Sequence, residues 1–180
     1  ALAATAPQRI AGAVLNDVGP ELDPAGLERI RTYVGKPMRF GDWNEAASYV
    51  AGINKGLPAS NSQEDWLRAA HRLCRQDADG AIVFDYDLAI AEPFNQRNDV
   101  AVPVDMWPLY RQLGQVPLLI VRGELSDLLS ATTAQAMLEA HPDAELVTVV
   151  GVAHAPELNE PEAVAAIDRL LERFAKAGRA

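Results

Sequence analysis

Two short apolar runs that bracket a helix-patterned stretch constrain this chain more than any other feature. Residues 116–121 (Val-Pro-Leu-Leu-Ile-Val) and 145–150 (Glu-Leu-Val-Thr-Val-Val) read as strands apolar on both faces. Strands of that kind sit inside a parallel sheet covered by helices on each side. Between them Ser130 is placed to cap a helix, Ala134, Met137 and Leu138 form its apolar stripe, and His141-Pro142 ends it. Strand, helix and strand with short connections make a right-handed crossover and therefore a parallel pair. A third run, residues 11–18, has the same character. The fold class is α/β.

The remaining stretches divide the chain further. A C-terminal helix opens at Asn159-Glu160-Pro161, with proline near its first turn. Val164, Ile167, Leu170, Leu171 and Phe174 fall on one of its faces, and Arg169, Glu172, Arg173 and Lys176 on the other. Residues 23–100 differ in texture. Helical patterns over 24–34, 44–54 and 64–75 are interrupted by Gly35, Gly56, Pro58 and a Ser60-Asn61-Ser62 cluster. The expectation is a mostly helical insertion, followed by a return helix near residues 106–113. Residues 1–22 and 101–180 then form one core, and residues 23–100 the insertion.

Charge and cysteine usage exclude several functions. A net charge of −9 leaves no basic stripe for phosphates and disfavours an anionic membrane surface. A single cysteine, Cys74, rules out an intrachain disulfide and provides no metal cluster. No apolar run reaches the ~18 residues that cross a bilayer. The first residues, Ala1-Leu2-Ala3-Ala4, lack the basic start of a secretory signal, so a cytoplasmic location is the expectation. No cofactor is called for.

Chemistry concentrates at the strand ends. Gly151-Val152-Ala153-His154-Ala155-Pro156 follows the run at 145–150, and Arg122-Gly123-Glu124-Leu125-Ser126-Asp127 follows the run at 116–121. Loops at the carboxyl ends of parallel strands are where α/β folds present reactive groups. A histidine needs a carboxylate to fix its tautomer and to stabilise the imidazolium. Two carboxylates compete for that place: Asp127, and Asp17 in Asn16-Asp17-Val18-Gly19-Pro20 at the end of the run at 11–18.

In order and spacing these elements resemble the C-terminal part of an α/β-hydrolase: sixth strand, helical cap, seventh strand with an acid, helix, last strand with a histidine, helix. Residues 15–20 match the sixth strand leading into the cap, residues 119–127 the seventh strand, and residues 151–162 the histidine loop. The resemblance implies a hydrolase acting on a small ester, lactone or carbon–carbon bond substrate. Asp127 would be its acid and His154 its base, with Asp17 the alternative acid because some members place it after the sixth strand. Trp43 and Leu128 are weaker candidates for lining a substrate pocket. The family's nucleophile sits on a G-x-S-x-G-type elbow. None of Ser48, Ser60, Ser62, Ser126 and Ser130 has that context, and the opening residues resemble the helix just after the elbow. The expected partner is the N-terminal half of the same fold, as a separate chain or a missing segment. The alternative is a non-catalytic fragment or binding subunit.

Residues outside those loops read as structure. His71 sits among Arg72, Arg75, Glu64 and Asp65 as on a solvated helix face, and Cys74 and the tryptophans read as packing. Residues 82–87 (Ile-Val-Phe-Asp-Tyr-Asp) end in Asp-x-Asp, which is similar to the phosphoaspartate motif of haloacid-dehalogenase-type phosphatases. That chemistry needs carboxylates on magnesium and further acidic and basic partners downstream, which the sequence does not offer.

Overall fold

The computed structural model describes residues 2–54, 62–92, 105–114 and 116–177. The chain divides into two compact units, residues 1–26 with 102–180, and residues 27–101. The expected boundary at 100/101, with Gly56, Pro58 and Ser60, lies outside the described residues.

The first unit is built on a parallel sheet of β1 (Ala13–Asn16), β5 (Leu118–Gly123) and β6 (Ala144–Val149) in the order β1-β5-β6. All six residues of β5 are buried, which explains the apolar run over residues 118–121. Register places Leu15 opposite Ile120 and Ile120 opposite Leu146, so one apolar row crosses all three strands. Helix α6 (Ala131–Ala140) joins β5 to β6, its N-cap Ser130 accepting from the Thr133 N–H at 2.9 Å. The amphipathic α7 (Pro161–Ala177) packs against β5 and β6. The return helix is the short α5 (Trp107–Arg111), and one helical turn, α1 (Leu2–Thr5), opens the described chain.

Helix α5 is tied to the sheet layer by Tyr110. Its side chain packs with Leu118, Ile120, Leu129, Ala134 and Met137, and its hydroxyl donates to the Met137 carbonyl at 2.6 Å. Burial pushes the Tyr110 phenol up to about 12 from 10.0. The folded state thus favours the neutral form. Its contribution is complete below pH 10 and is lost as pH rises through about 12, because the unfolded chain ionises first. Urea midpoints are expected to fall between those pH values more steeply in the native chain than in a Tyr110→Phe variant. Equal slopes would remove Tyr110 from the account.

The second unit combines helices with a small sheet. Helix α2 (Pro24–Arg31) begins before the division and runs into it. Helices α3 (Trp43–Ile53) and α4 (Gln63–Leu73) each carry a side-chain cap, Asp42 on Glu45 N–H and a Ser62–Asp65 capping box. Strands β2 (Arg39–Phe40), β3 (Cys74–Gln76) and β4 (Ile82–Phe84) form an antiparallel sheet in the order β2-β4-β3. Phe40, Val50, Ala70, Cys74 and Ile82 make the core. The insertion is therefore not all helical. The helical pattern expected to reach residue 75 stops at Leu73, where the chain turns extended to pair with β4. The Asp-x-Asp stretch follows a strand, but both carboxylates serve locally. Asp85 pairs with Arg75 at 3.1 Å, and Asp87 accepts from the Ala89 N–H at 2.9 Å. Among the described residues no cluster of three or more His, Cys, Asp or Glu side chains is placed to hold a metal ion.

Candidate active site

The loops after β1, β5 and β6 converge at the carboxyl end of the parallel sheet. Asp17 directly follows β1, and its N–H still bonds to the Val121 carbonyl at 2.7 Å, one step beyond the paired residues. The backbone then turns into the left-handed region at Asp17 (φ 56°), a conformation that aspartate tolerates better than most residues. That turn buries the carboxylate completely. A buried carboxylate is costly unless its oxygens are satisfied. Here Oδ1 accepts from the Gly123 N–H at 3.0 Å, and Oδ2 lies 2.8 Å from Nδ1 of His154.

His154 reaches this position because its loop crosses over the end of β5. The Leu125 N–H donates to the Val152 carbonyl at 2.8 Å, and the Glu124 carboxylate accepts from the Gly151 N–H at 2.8 Å. Gly151 takes a positive φ of 70°, where glycine is unstrained. Past the crossing, the Asn16 amide donates to the Pro156 carbonyl at 2.9 Å. The imidazole is mostly buried, with 19% of its side chain exposed. Among the described residues Nδ1 has Asp17 as its partner and Nε2 makes no hydrogen bond. With Asp17 ionised the bond fixes the Nδ1–H tautomer, leaving Nε2 as a base.

The residue singled out first as the acid, Asp127, takes no part in that bond. It lies in a turn after β5, where Ser126 Oγ accepts from the N–H groups of Leu128 (3.2 Å) and Leu129 (3.0 Å). The alternative, Asp17, holds the place opposite Nδ1. The physical reason is the crossing, which carries the histidine past β5 and delivers its ring to the end of β1. Leu128 is buried, 3% exposed. Trp43 lies in the second unit, against that unit's core and stacked on His71 at 3.7 Å between ring centres. His141 is a structural histidine, its ring nitrogens satisfied by the Leu113 carbonyl (2.9 Å) and the Asp143 N–H (3.2 Å). Asn16 and Gly123, which touch the pair or its loop, went unremarked as functional residues. The glycine at a strand end was the visible clue.

The described serines all serve local structure. Ser62 and Ser130 cap helices, Ser126 holds the turn just described, and Ser48 donates to the Asn44 carbonyl at 2.8 Å. Beside the Asp17 turn a cleft of about 260 Å³ opens, lined by Leu15, Val18, Pro20, Leu109, Tyr110 and neighbouring residues. Its walls are largely apolar.

Along 96% of its length the chain matches the crystal structure of an alpha/beta hydrolase from Novosphingobium aromaticivorans, with 50% identity and a TM-score of 0.86. The chain belongs to the α/β-hydrolase fold family. The match covers 60% of that hydrolase. This hydrolase-fold chain is also 34% identical over 157 residues to a 3-hydroxybutyrate-oligomer hydrolase from Cupriavidus necator, covering 84% of the chain and 53% of that protein. It is 29% identical to a 2-(acetamidomethylene)succinate hydrolase from Mesorhizobium japonicum, over 89% of the chain and 54% of that protein. The hydrolase-fold chain thus spans about half the length of the curated relatives it matches. No family model matches it. Among the described residues of the hydrolase-fold chain, no helix is long and apolar enough to cross a membrane.

Proposed function

We propose that this chain is the acid–base portion of an α/β-hydrolase that cleaves a small carboxylic ester, with His154 as base and Asp17 as its acid. The observation that carries the reading is the 2.8 Å contact between His154 Nδ1 and a fully buried Asp17 carboxylate. Such a pair at a strand-end loop is suited to general-base catalysis. Nε2 takes the proton of an attacking hydroxyl as its oxygen bonds to the ester carbonyl carbon. The imidazolium, held by Asp17, then returns the proton to the departing alkoxide as the carbon–oxygen bond breaks. Water repeats the sequence on the acyl intermediate, releasing the acid and restoring the nucleophile.

In this proposal the nucleophile and the oxyanion donors come from a portion of the protein outside this chain. Two facts support it: the described serines are held in local structure, and the relatives are about twice as long. The edge of β1, paired on one side only among the described residues, is where a further parallel strand would attach. The kinship with a hydroxybutyrate-oligomer hydrolase favours esters of short hydroxy acids. The second unit serves as the cap in this scheme.

The test is turnover of short-chain p-nitrophenyl esters and hydroxybutyrate oligomers. The chain joined to its N-terminal part is expected to hydrolyse them, and a His154→Ala variant of that assembly to lose about 10⁴-fold. Hydrolysis by this chain alone at the rate of the assembly would sink the proposed division of labour. An inactive assembly would favour a binding role instead.

A further inference from the structure

The histidine loop is held at two points by residues that carry no acid–base chemistry. Before His154 it passes directly over Gly123. A Cβ built on Gly123 would lie 2.5 Å from the Val152 carbonyl oxygen and 2.7 Å from that of Ala153. Those separations are far inside ordinary van der Waals contact, and both atoms belong to backbone, which cannot swing aside as a side chain can. The same residue donates its N–H to Asp17 Oδ1 at 3.0 Å. Gly123 therefore fixes both members of the pair, the carboxylate by a hydrogen bond and the histidine by allowing its loop to descend. After His154 the loop is caught by Asn16, whose amide nitrogen donates to the Pro156 carbonyl at 2.9 Å across 140 residues of sequence. Among the described residues nothing donates to Asn16 Oδ1, so its amide acts here through the donor alone.

We infer that Asn16 and Gly123 are positioning residues: a clamp on either side of His154 that sets its distance from Asp17. The inference rests on the reading of Asp17 and His154 as the working pair, and adds what holds them in reach. Neither clamp residue touches the reacting atoms. Gly123 works by the absence of a side chain and Asn16 by one hydrogen bond. A misplacement on the order of 1 Å at such a pair is enough to cost about 100-fold in rate.

The experiment is proton NMR of the 180-residue chain with ¹⁵N-labelled histidine, following the ring N–H held between Nδ1 of His154 and Asp17. The chain has three histidines, which makes assignment tractable. A resonance far downfield of ordinary ring N–H groups is expected, absent from a His154→Gln variant. Gly123→Ala keeps the backbone donor and adds only the methyl. Asn16→Asp keeps the shape and replaces the donor by a carboxylate that repels the Pro156 carbonyl. Each is expected to remove the resonance or move it upfield while the backbone amide spectrum stays folded. Gly52→Ala, where a Cβ would meet nothing within 4 Å, is the control and should leave it in place.

An unchanged resonance in either clamp variant overturns the role given to that residue. If Gly123→Ala does not fold, Asn16→Asp decides. Disappearance of the resonance only when the folded amide spectrum is lost as well counts against the clamp. Failure of the catalytic reading would look different: the resonance and its sensitivity would persist, while Asp17→Asn left turnover of the completed enzyme intact.

Discussion

Changing Asp17 to asparagine in the completed enzyme is expected to lower kcat by about 10³- to 10⁴-fold, whereas Asp127→Asn should cost less than about tenfold. The asymmetry follows from the atoms. An asparagine at position 17 can turn its NH₂ toward Nδ1, which then becomes the acceptor and forces the proton onto Nε2. A histidine in that tautomer cannot take a proton from a nucleophile. The amide also lacks the charge that stabilises the imidazolium as it forms. Asp127 is outside the hydrogen bond at Nδ1, so its change leaves the tautomer alone. Michaelis constants are expected to move little in either variant, because neither carboxylate is proposed to bind the ester. Steady-state kinetics on the two variants side by side decide the matter. A larger loss at Asp127 would return the acid to the loop after β5.

The second large effect is on stability. Ile120 is fully buried at the centre of the middle strand, opposite Leu15 on one side and Leu146 on the other. Ile120→Ala removes buried carbon from a row that spans the sheet, and the neighbouring strands are too firmly paired to close the gap. The expected cost is about 2–5 kcal/mol. For a chain of this size that is a drop of roughly 5 to 20 °C in melting temperature. Trp107 belongs to the same unit, while Trp43 and Trp66 lie in the other. A variant that retains only one tryptophan at a time therefore reports which unit loosens. A melting temperature within about 2 °C of the native chain would mean that this row contributes far less than its burial implies.

The central strand of the parallel sheet was legible because it carries its burial in composition, whereas β1 and β6, read as equally covered, are only half-buried. Leu118, Leu119, Ile120 and Val121 have no polar alternation, and only a strand covered on both faces reads that way. The cap at Ser130 and the two-faced helix from Pro161 were equally plain, since each depends on neighbours within one or two turns. The small antiparallel sheet was not legible, for the opposite reason. Its strands are two or three residues long, shorter than any window in which a period shows. Cys74 and Arg75 continue the helical pattern of α4, and only pairing with Phe84 and Val83 holds them extended.

The same distinction divides the site. His154 was visible as a histidine in a glycine-bearing loop after an apolar strand. For its partner the sequence pointed first to Asp127 and only second to Asp17, yet the hydrogen bond falls to Asp17, and nothing local signals that. The choice depends on where the loop after β6 crosses the sheet, which is set by the close approach at Gly123. The left-handed turn that tucks Asp17 under the ring is likewise a tertiary outcome, since nothing in Asn16-Asp17-Val18-Gly19-Pro20 demands it.

The 137 residues of chain separating Asp17 from His154 have a kinetic consequence. Closing so large a loop costs entropy before any contact rewards it, so this bond belongs to the late events of assembly. An intermediate in which β5, α6 and β6 have already come together still lacks Asp17, the acid of the proposed pair. Proton-transfer competence should therefore arise in refolding only when the first strand docks, which makes it a gauge of complete maturation.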